Sequence, residues 1–203
     1  MKNKTVVITG AGKGLGKALA DLCQARGAQV IVADRAMADV TQEDQVNALM
    51  DSAVIKFGTV DFWINNAGVW MPRLPLEDTD VNKVQQLFQV NFFGTFFGMR
   101  AAIRQMKKQA HGTIVNIIST TAFDGMAGTS GSIYTSSKYA LRGLTNSVRD
   151  ELKDTGVSVV GVYPGGFQTD LFNEAKPNNF DEFMTVESVA EKIVNNLELE
   201  IPE

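Results

Sequence analysis

The chain has 203 residues, of which 44 % are hydrophobic and 21 % are charged, a composition typical of one globular domain with a substantial core. The formal net charge of −4, with acidic and basic residues interspersed, indicates neither a nucleic-acid surface nor an anionic-membrane surface. Cys23 is the only cysteine, which excludes an intramolecular disulfide, and we expect it to be a buried, inert thiol.

Strand-like apolar runs alternate with helical patterns along the chain, without a repeat or a linker. In chain order the predicted elements are a strand over 5–9, a helix over 15–26, a strand over 29–33, a helix over 41–57 with Thr41 as its candidate cap, a strand over 60–65, a long helix over 80–108, a strand over 113–118, a helix over 132–153, a strand over 157–162 and a helix over 186–197. The strands show little polar alternation, so both sheet faces should be buried. We predict a single α/β domain over 1–203 with a doubly wound parallel sheet.

No apolar run is long enough to cross a bilayer, and no signal peptide precedes the first strand pattern. We therefore expect a cytoplasmic protein without a membrane partner.

A glycine-rich turn joins the first predicted strand to the first helix, in the run Thr9-Gly10-Ala11-Gly12-Lys13-Gly14-Leu15-Gly16. Glycines let the backbone approach a diphosphate closely, and the helix N-terminus supplies free N–H groups and a positive dipole end. Many tight strand-to-helix turns also use glycine, so the turn alone is weak evidence. Its place after the first strand favours nucleotide binding.

Asp34 stands at the end of the second predicted strand. A carboxylate there can accept hydrogen bonds from the adenosine ribose hydroxyls and repel a 2′-phosphate. Lys13 and Arg35 act in the opposite direction, since cations near that ribose can hold a phosphate. We weigh Asp34 more heavily and expect NAD, with NADP as the second choice. The alternative is that Asp34 is only a turn residue.

Four side chains are candidates for the chemistry. Tyr134 and Lys138 lie on one face of a predicted helix, where a lysine cation favours the tyrosine phenolate, although a solvated helix face has the same spacing. Ser119 lies just past a strand at the carboxyl edge of the sheet, where its hydroxyl can orient a carbonyl oxygen. Asn91 is a mediocre helix former inside the long helix, which indicates either a functional role or a bent helix.

The motifs as a set resemble the short-chain dehydrogenase/reductase family, in order and over nearly the whole chain. They are TGAGKGLG, Asp34, Asp39-Val40, Asn65-Asn66-Ala67-Gly68, Asn91, Ser119, the run from Tyr134 to Lys138, and Pro164-Gly165. The resemblance implies a Rossmann-type fold and an NAD(P)-dependent oxidoreductase, without a metal, that interconverts an alcohol and a carbonyl. It implies Tyr134 as general acid/base and Lys138 as the group that lowers its pKa and binds the nicotinamide ribose. Ser119 would position the substrate oxygen, and Asn91 would hold a water in a proton relay.

The same resemblance implies a cofactor site in four parts. These are Gly10, Gly14, Leu15 and Gly16 at the diphosphate; Asp39 and Val40 at the adenine; Asn65, Ala67 and Gly68 along the cofactor; and Pro164, Gly165 and Thr169 at the nicotinamide end. For the segment 65–68 alone, an Asn–Gly-type turn is the alternative.

The sequence departs from the family pattern in the spacing between serine and tyrosine. In the family the serine usually lies two residues closer to the tyrosine, which is the position of Thr121. Ser119 nevertheless follows its strand in the family's register. We therefore assign Ser119 and place two extra residues in the glycine-rich loop 125–131.

A larger departure lies after the second strand. The family has a helix and a strand between the acid that ends this strand and the Asp-Val pair, whereas only residues 35–38 separate Asp34 from Asp39. A parallel crossover needs about a dozen residues or more. We predict a sheet without most of the third βα unit and without the family's C-terminal strand. Either the connection is short by nature or a segment is missing, and the run 36–41, which looks like the tail of that strand, favours the second.

Two groups of large apolar residues concern the expected partners. Phe92, Phe93, Phe96 and Phe97 lie on the long helix, where the resemblance implies a subunit interface, and we expect a homodimer or homotetramer. Trp70, Met71, Phe167 and Phe172 lie near the expected cleft and either make it apolar or pack loops. The expected partner is a small alcohol or carbonyl compound. The alternative function is a cofactor-binding regulatory or scaffold protein of the same fold without turnover.

Overall fold

The computed structural model describes residues 1–125, 131–169, 171, 176 and 179–199 and contains one parallel sheet. Its strands are β1 (Thr5–Thr9), β2 (Gln29–Ala33), β3 (Phe62–Asn65), β4 (Gly112–Ile117) and β5 (Val157–Val162). They lie in the order β2-β1-β3-β4-β5, and every neighbouring pair is parallel. The predicted doubly wound parallel fold is confirmed.

Helices cover both faces of the sheet. They are α1 (Gly14–Ala25), α2 (Glu43–Phe57), α3 (Val81–Phe88), α4 (Gly94–Gln109), α5 (Ser132–Glu151) and α6 (Val186–Leu197). Helices α1 and α6 pack around Val6 and Ile8 on one face, and α2, α4 and α5 pack around Val7 and Trp63 on the other. Strand β1 is buried along its whole length, which explains why its sequence shows no polar alternation. No helix in the described ranges combines the length and hydropathy that crossing a bilayer requires.

The connection between β2 and α2 is a compact set of turns over residues 34–42, with no strand. The Ala38 N–H donates to the Asp34 carbonyl at 3.0 Å and the Gln42 N–H to the Asp39 carbonyl at 3.0 Å. Strand β2 therefore pairs with β1 alone and forms an edge of the sheet, where Val32 is 36 % exposed. The predicted loss of the third βα unit is confirmed. So short a connection cannot contain the parallel crossover, which needs about a dozen residues or more, and the chain passes through turns into α2.

The cap predicted for α2 is wrong. The helix begins at Glu43 with Gln42 as its N-cap, and the Thr41 hydroxyl donates instead to the Asp39 carboxylate at 2.8 Å. Cys23 is buried as expected, and burial raises the pKa of its thiol to about 11.

The long helix predicted over 80–108 is continuous but changes its winding. A π-helical segment, Gln89–Phe93, joins α3 to α4 and contains Asn91. Segments of this kind are frequent at functional sites. On the same helix Phe93 is 38 % exposed and the other three phenylalanines are half-buried. The expected homo-oligomer stays a prediction.

A buried chain of polar side chains crosses the sheet on the α4 side. Trp63 Nε1 donates to Asn65 Oδ1 at 2.8 Å, Asn65 Nδ2 to Asn116 Oδ1 at 2.8 Å, and Asn116 Nδ2 to Thr145 Oγ1 at 3.0 Å. All four residues are at most 3 % exposed. Gly98 of α4 packs directly on this chain, because a Cβ there would overlap Asn65 Oδ1 and lie 2.7 Å from Trp63 Nε1.

We predict that Gly98→Ala destabilises the fold by about 1–3 kcal/mol, the usual cost of forcing an extra group into a packed core. Gly143→Ala is the matched control, since a Cβ at Gly143 of α5 meets nothing within 4 Å. It should stabilise by about 0.5–1 kcal/mol through helix propensity. Urea unfolding of both variants measures the difference. Equal effects at the two glycines would show that the contact with Asn65 and Trp63 is not tight.

Candidate active site

One long groove runs across the carboxyl ends of the strands. Strands β2 and β3 lie on opposite sides of β1, so the groove sits at the switch point where open α/β sheets bind ligands. Its volume is about 1290 Å³, larger than the ~300–1,000 Å³ typical of sites for one drug-sized molecule. It has the room for a long ligand such as a dinucleotide together with a substrate.

The glycine turn forms the floor of the groove at the start of α1. Lys13 is the N-cap and makes no side-chain cap hydrogen bond, so the first N–H groups of α1 remain available to an anion. Gly10 and Gly14 have φ of 64° and 54°, a backbone conformation that favours glycine. A Cβ at Gly10 would lie 2.7 Å from Ala67 Cα. The turn is thus a tight cradle of backbone, which fits a diphosphate.

Asn66 holds this turn in place, a role that was not predicted from the sequence. Its Nδ2 donates to the carbonyls of Thr9 at 2.9 Å and Gly10 at 3.1 Å. A Cβ at Gly16 would overlap Asn66 Nδ2 and lie 2.5 Å from the Gly10 carbonyl oxygen. The signal was present in the sequence as the second asparagine of the Asn65-Asn66-Ala67-Gly68 run.

Most of the residues predicted for the site line this groove. They are Gly10, Gly14, Leu15, Gly16, Asp34, Asp39, Val40, Ala67, Gly68, Ser119, Tyr134, Lys138, Pro164, Gly165 and Thr169. Asn65 does not line the groove, and its side chain is bonded to Trp63 and Asn116 in the core, so its assignment to the cofactor stays a prediction. Asn91 also lies outside the lining, behind Gly68.

Asp34 is held by the turn that follows β2. Its Oδ1 accepts from the Met37 N–H at 2.9 Å, and its Oδ2 lies 3.8 Å from the position of a Cβ on Gly12. Arg35, with a side chain 84 % exposed, has its Nε 3.8 Å from Asp39 Oδ2. The carboxylate of Asp34 therefore lies beside the glycine turn.

Ser119 and Tyr134 come together at the end of β4. A hydrogen bond with Ser119 lowers the pKa of Tyr134, but burial is the larger effect and raises it to about 12. Ser119 Oγ accepts from the Thr121 N–H at 3.2 Å and lies 3.1 Å from Thr121 Oγ1. Thr121 thus supports Ser119, which is the residue beside the phenol. The loop assigned the two extra residues lies mostly outside the described residues.

Lys138 lies close to the Tyr134 ring, and its predicted lowering of the Tyr134 pKa stays a prediction. Its Nζ donates to the Ile117 carbonyl at 3.2 Å and lies 5.5 Å from the centre of the Tyr134 ring. Burial lowers the pKa of Lys138 itself to about 8. The physical reason is that both groups are removed from water, which disfavours the charged form of each.

Asn91 ties the loop after β3 to α5. Its Oδ1 accepts from the Val69 N–H at 2.8 Å, and its Nδ2 donates to the Val69 carbonyl at 2.9 Å and to Ser137 Oγ at 3.3 Å. Ser137 Oγ in turn donates to the Tyr134 carbonyl at 2.7 Å. The π-helical segment therefore connects to the turn of α5 that carries the candidate catalytic pair. The proton relay through Asn91 stays a prediction.

The groove end near Tyr134 has an apolar wall. It is formed by Trp70, Phe167, Leu171 and Phe183. The ring of Phe183 packs on Gly166, where a Cβ would lie 2.5 Å from the ring. Met71 does not line the groove, and Phe172 lies outside the described residues.

Comparison with known proteins identifies the family. A family model described as short chain dehydrogenase matches residues 36–179. The 3beta-hydroxysteroid dehydrogenase 2 of Eggerthella lenta is 32 % identical over 193 residues, covering 84 % of this chain and 74 % of the relative. The 3-alpha-(or 20-beta)-hydroxysteroid dehydrogenase of Mycobacterium tuberculosis is 34 % identical over 187 residues, covering 83 % and 70 %.

A solved structure supports the same conclusion. The 3-ketoacyl-(acyl-carrier-protein) reductase from Brucella melitensis, complexed with NADH, matches with a TM-score of 0.87 at 25 % identity, over 95 % of this chain and 90 % of that one. The chain belongs to the short-chain dehydrogenase/reductase family of oxidoreductases.

The buried Lys138 gives a prediction about stability and pH. Its folded-state pKa of about 8 lies below the ordinary 10.5, so at pH 7 folding keeps a cation out of water. The lowered pKa corresponds to a cost of about 3 kcal/mol for burying the cation at pH 7. The hydrogen bond to Ile117 stabilises the folded state by only about 1 kcal/mol. Lys138→Met should therefore raise the free energy of unfolding at pH 7 by about 2 kcal/mol. Urea unfolding measures this change.

The sign of the pH dependence follows from the same pKa. Between pH 8 and 10 the folded wild type loses the Lys138 proton while the unfolded chain keeps it, so its stability should rise with pH. The Lys138→Met variant should lack this rise. Above pH 10 the raised pKa of Tyr134 acts the other way, since only the unfolded phenol ionises. Lys83→Met, at an exposed position of α3, is the control and should change stability by less than about 0.5 kcal/mol. A Lys138→Met variant less stable than the wild type at pH 7 would show that burial of the Lys138 cation is not unfavourable.

Proposed function

We propose that the protein is an NAD-dependent oxidoreductase that interconverts a secondary alcohol and a ketone on a bulky apolar molecule. One observation carries the proposal. The groove that contains the glycine cradle also contains Tyr134, Ser119 and Lys138, with an apolar wall beside them. A dinucleotide laid from the cradle toward Tyr134 would end where a substrate oxygen can meet the phenol.

The chain's own residues would position the substrate and move the proton. A bound nicotinamide supplies or accepts the hydride at the substrate carbon. In the direction of reduction, the Tyr134 phenol donates its proton to the carbonyl oxygen; in oxidation, the phenolate takes the hydroxyl proton. Ser119 donates a hydrogen bond to the same oxygen and orients it. Lys138, whose Nζ lies near the backbone of Gly68, places a cation at the ribose side of the groove.

The preference for NAD rests on Asp34. Its carboxylate is fixed by the Met37 N–H at the end of β2, where it can accept hydrogen bonds from ribose hydroxyls. A 2′-phosphate would be repelled by it. Lys13 and Arg35 also line the groove and oppose this preference, and Arg35 Nε lies 3.8 Å from Asp39 Oδ2.

The substrate class rests on the apolar wall and on the relatives. Trp70, Phe167 and Phe183 supply flat apolar surface, and no Asp, Glu, Arg or Lys other than Lys138 lines that end among the described residues. Such a wall favours a neutral body of fused or adjoining rings. Two of the similar proteins are named as hydroxysteroid dehydrogenases, which act on molecules of that shape.

A second candidate is a cofactor-binding regulatory protein that keeps the fold without turnover. The observation that favours it is the pKa of Tyr134, which burial raises to about 12, away from the range useful for proton transfer at neutral pH. A screen of apolar secondary alcohols and ketones, followed by the absorbance of the reduced nicotinamide, separates the two candidates. Binding of the cofactor without turnover of any substrate would favour the regulatory protein.

We predict that Tyr134→Phe lowers turnover by about 10²–10⁴-fold or more, the usual contribution of a positioned acid/base, while cofactor affinity stays nearly unchanged. The ring is kept and only the proton-carrying oxygen is lost. Ser119→Ala should also reduce turnover, and Thr121→Ala should do so much less, because Thr121 acts only by holding Ser119. Steady-state kinetics and cofactor titration give both quantities. Full activity of Tyr134→Phe would refute the mechanism, and the reverse order for Ser119 and Thr121 would refute the assignment of the serine.

For the cofactor, we predict tighter binding of NAD than of NADP by the wild type. Asp34→Asn keeps an acceptor for the Met37 N–H and removes the charge. It should lower the ratio of the NADP to the NAD dissociation constant by about tenfold, since repulsion between like charges ~4 Å apart costs ~1–4 kcal/mol. Titration of both cofactors by calorimetry measures this ratio. Tighter binding of NADP by the wild type would show that the charges of Lys13 and Arg35 prevail.

A further inference from the structure

The segment that carries Ser119 is a short, closed turn at the end of β4. Ser119 precedes a single 3₁₀ turn, Thr120–Ala122, and its carbonyl accepts from the Ala122 N–H at 3.1 Å. The start of the segment is held by the Thr120 N–H, which donates to the Pro164 carbonyl at 2.9 Å. A displacement of Ala122 is therefore transmitted to Ser119, because one hydrogen-bonded turn joins the two residues.

The far end of this segment is held by two side chains of α5. Arg142 Nη1 donates to the Ala122 carbonyl at 2.8 Å, and the guanidinium carbon lies 4.4 Å from the centre of the Phe123 ring. The Tyr139 hydroxyl donates to Asp124 Oδ1 at 2.8 Å. A guanidinium can make both contacts of Arg142 at once, since its edge donates hydrogen bonds while its face stacks on a ring.

The helix that holds the segment is also the helix that carries the phenol. Tyr134, Lys138 and Arg142 follow one another at intervals of four residues, so they lie along one side of α5. The hydrogen bond between Ser119 and Tyr134 joins the two elements beside the groove. Helix α5 therefore places the phenol directly, and it places the serine hydroxyl through the contacts of Arg142 with the turn that follows Ser119.

We propose that Arg142, assisted by Tyr139, is a positioning residue that fixes the Ser119 hydroxyl relative to Tyr134, so that both can meet one substrate oxygen. This inference rests on the proposed function and adds a residue to it. Neither Arg142 nor Tyr139 lines the groove, so neither touches the cofactor or the substrate. Arg142 acts only through the turn that carries Ser119.

The first test is Arg142→Met, which keeps an unbranched side chain of good helix propensity and removes both contacts. The value of kcat should fall about 10- to 100-fold, because a misplacement of about 1 Å at the reacting groups can cost that much. The KM for an apolar ketone and the dissociation constant of NAD⁺ should stay nearly unchanged, since the apolar wall and the glycine cradle are intact. Steady-state kinetics and calorimetric titration measure these three quantities.

The same substitution in a Ser119→Ala background decides whether Arg142 acts through the serine. There Arg142→Met should lower kcat by no more than about twofold, because the hydroxyl that it positions is already absent. A residue that only stabilises the fold would cause the same loss in both backgrounds. Tyr139→Phe removes a single hydroxyl and should lower kcat roughly 2- to 10-fold, the effect of one hydrogen bond, and only when Ser119 is present.

Arg149 provides the matched control on the same helix. Its Nε donates to the Val159 carbonyl at 2.8 Å, a bond of the same kind that does not involve the segment of Ser119. Arg149→Met should therefore keep the wild-type kcat in the presence and in the absence of the Ser119 hydroxyl.

Three outcomes would overturn the inference. The first is an equal loss of kcat from Arg142→Met in the two backgrounds, and the second is a loss no larger than that from Arg149→Met. If Arg142→Met does not fold, Tyr139→Phe decides by the same comparison of backgrounds. The third is the absence of turnover by the wild type on every substrate, which would refute the proposed function together with this inference and is distinct from equal losses.

Discussion

The groove depends on the contact between the Asn66 carboxamide and two carbonyls of the glycine turn. The amide joins the turn before α1 to the end of β3 at hydrogen-bond distance. This closeness requires glycine at two positions, because a Cβ at Gly16 would overlap the Asn66 amide and a Cβ at Gly10 would lie 2.7 Å from Ala67 Cα. From the same end of β3 the chain continues through Gly68 to Val69, which Asn91 holds with two hydrogen bonds. The diphosphate end and the chemical end of the groove are therefore parts of one hydrogen-bonded assembly, and a change at Asn66 acts on both.

The fold could be predicted from the sequence wherever burial dictates the pattern of apolar residues. Strands β1, β2 and β5 have the predicted bounds, because an uninterrupted apolar run between turn residues has few other interpretations. The missing third βα unit followed from a length argument, since residues 35–38 cannot span a crossover. The π-helical segment Gln89–Phe93 was not readable, because nothing local distinguishes it from the α-helix on either side. Thr41 was misjudged as a cap because Asp39 competes for its hydroxyl, and that competition exists only in the folded turn.

The site could be predicted where a characteristic residue type follows the end of a strand. It could not be predicted where the direction of a side chain decides its role. The neighbours Asn65 and Asn66 have different roles. Asn65 belongs to the buried chain of polar side chains, and Asn66 holds the glycine turn. Side chains of adjacent residues leave an extended chain in opposite directions, so the motif alone could not say which faces the cofactor. In the sequence, Gln86 and Gln89 are ordinary exposed helix residues, and only the structure shows that they line the groove. The pKa of Tyr134 depends on tertiary burial, which the four-residue spacing to Lys138 does not reveal.

The Asn65–Asn116 pair has a consequence for how the strands find their alignment. Strand β3 is buried along its whole length, so sliding it by one residue against β4 would exchange one apolar side chain for another, with little opposition from hydrophobic pattern alone. Asn65 and Asn116 lie directly opposite each other in the β3–β4 pairing. A slipped pairing would bury both amides without partners, at about 1–3 kcal/mol for each. The two asparagines therefore select one register of β3 against β4. In that register the end of β3, before Asn66, lies beside the end of β4, before Ser119.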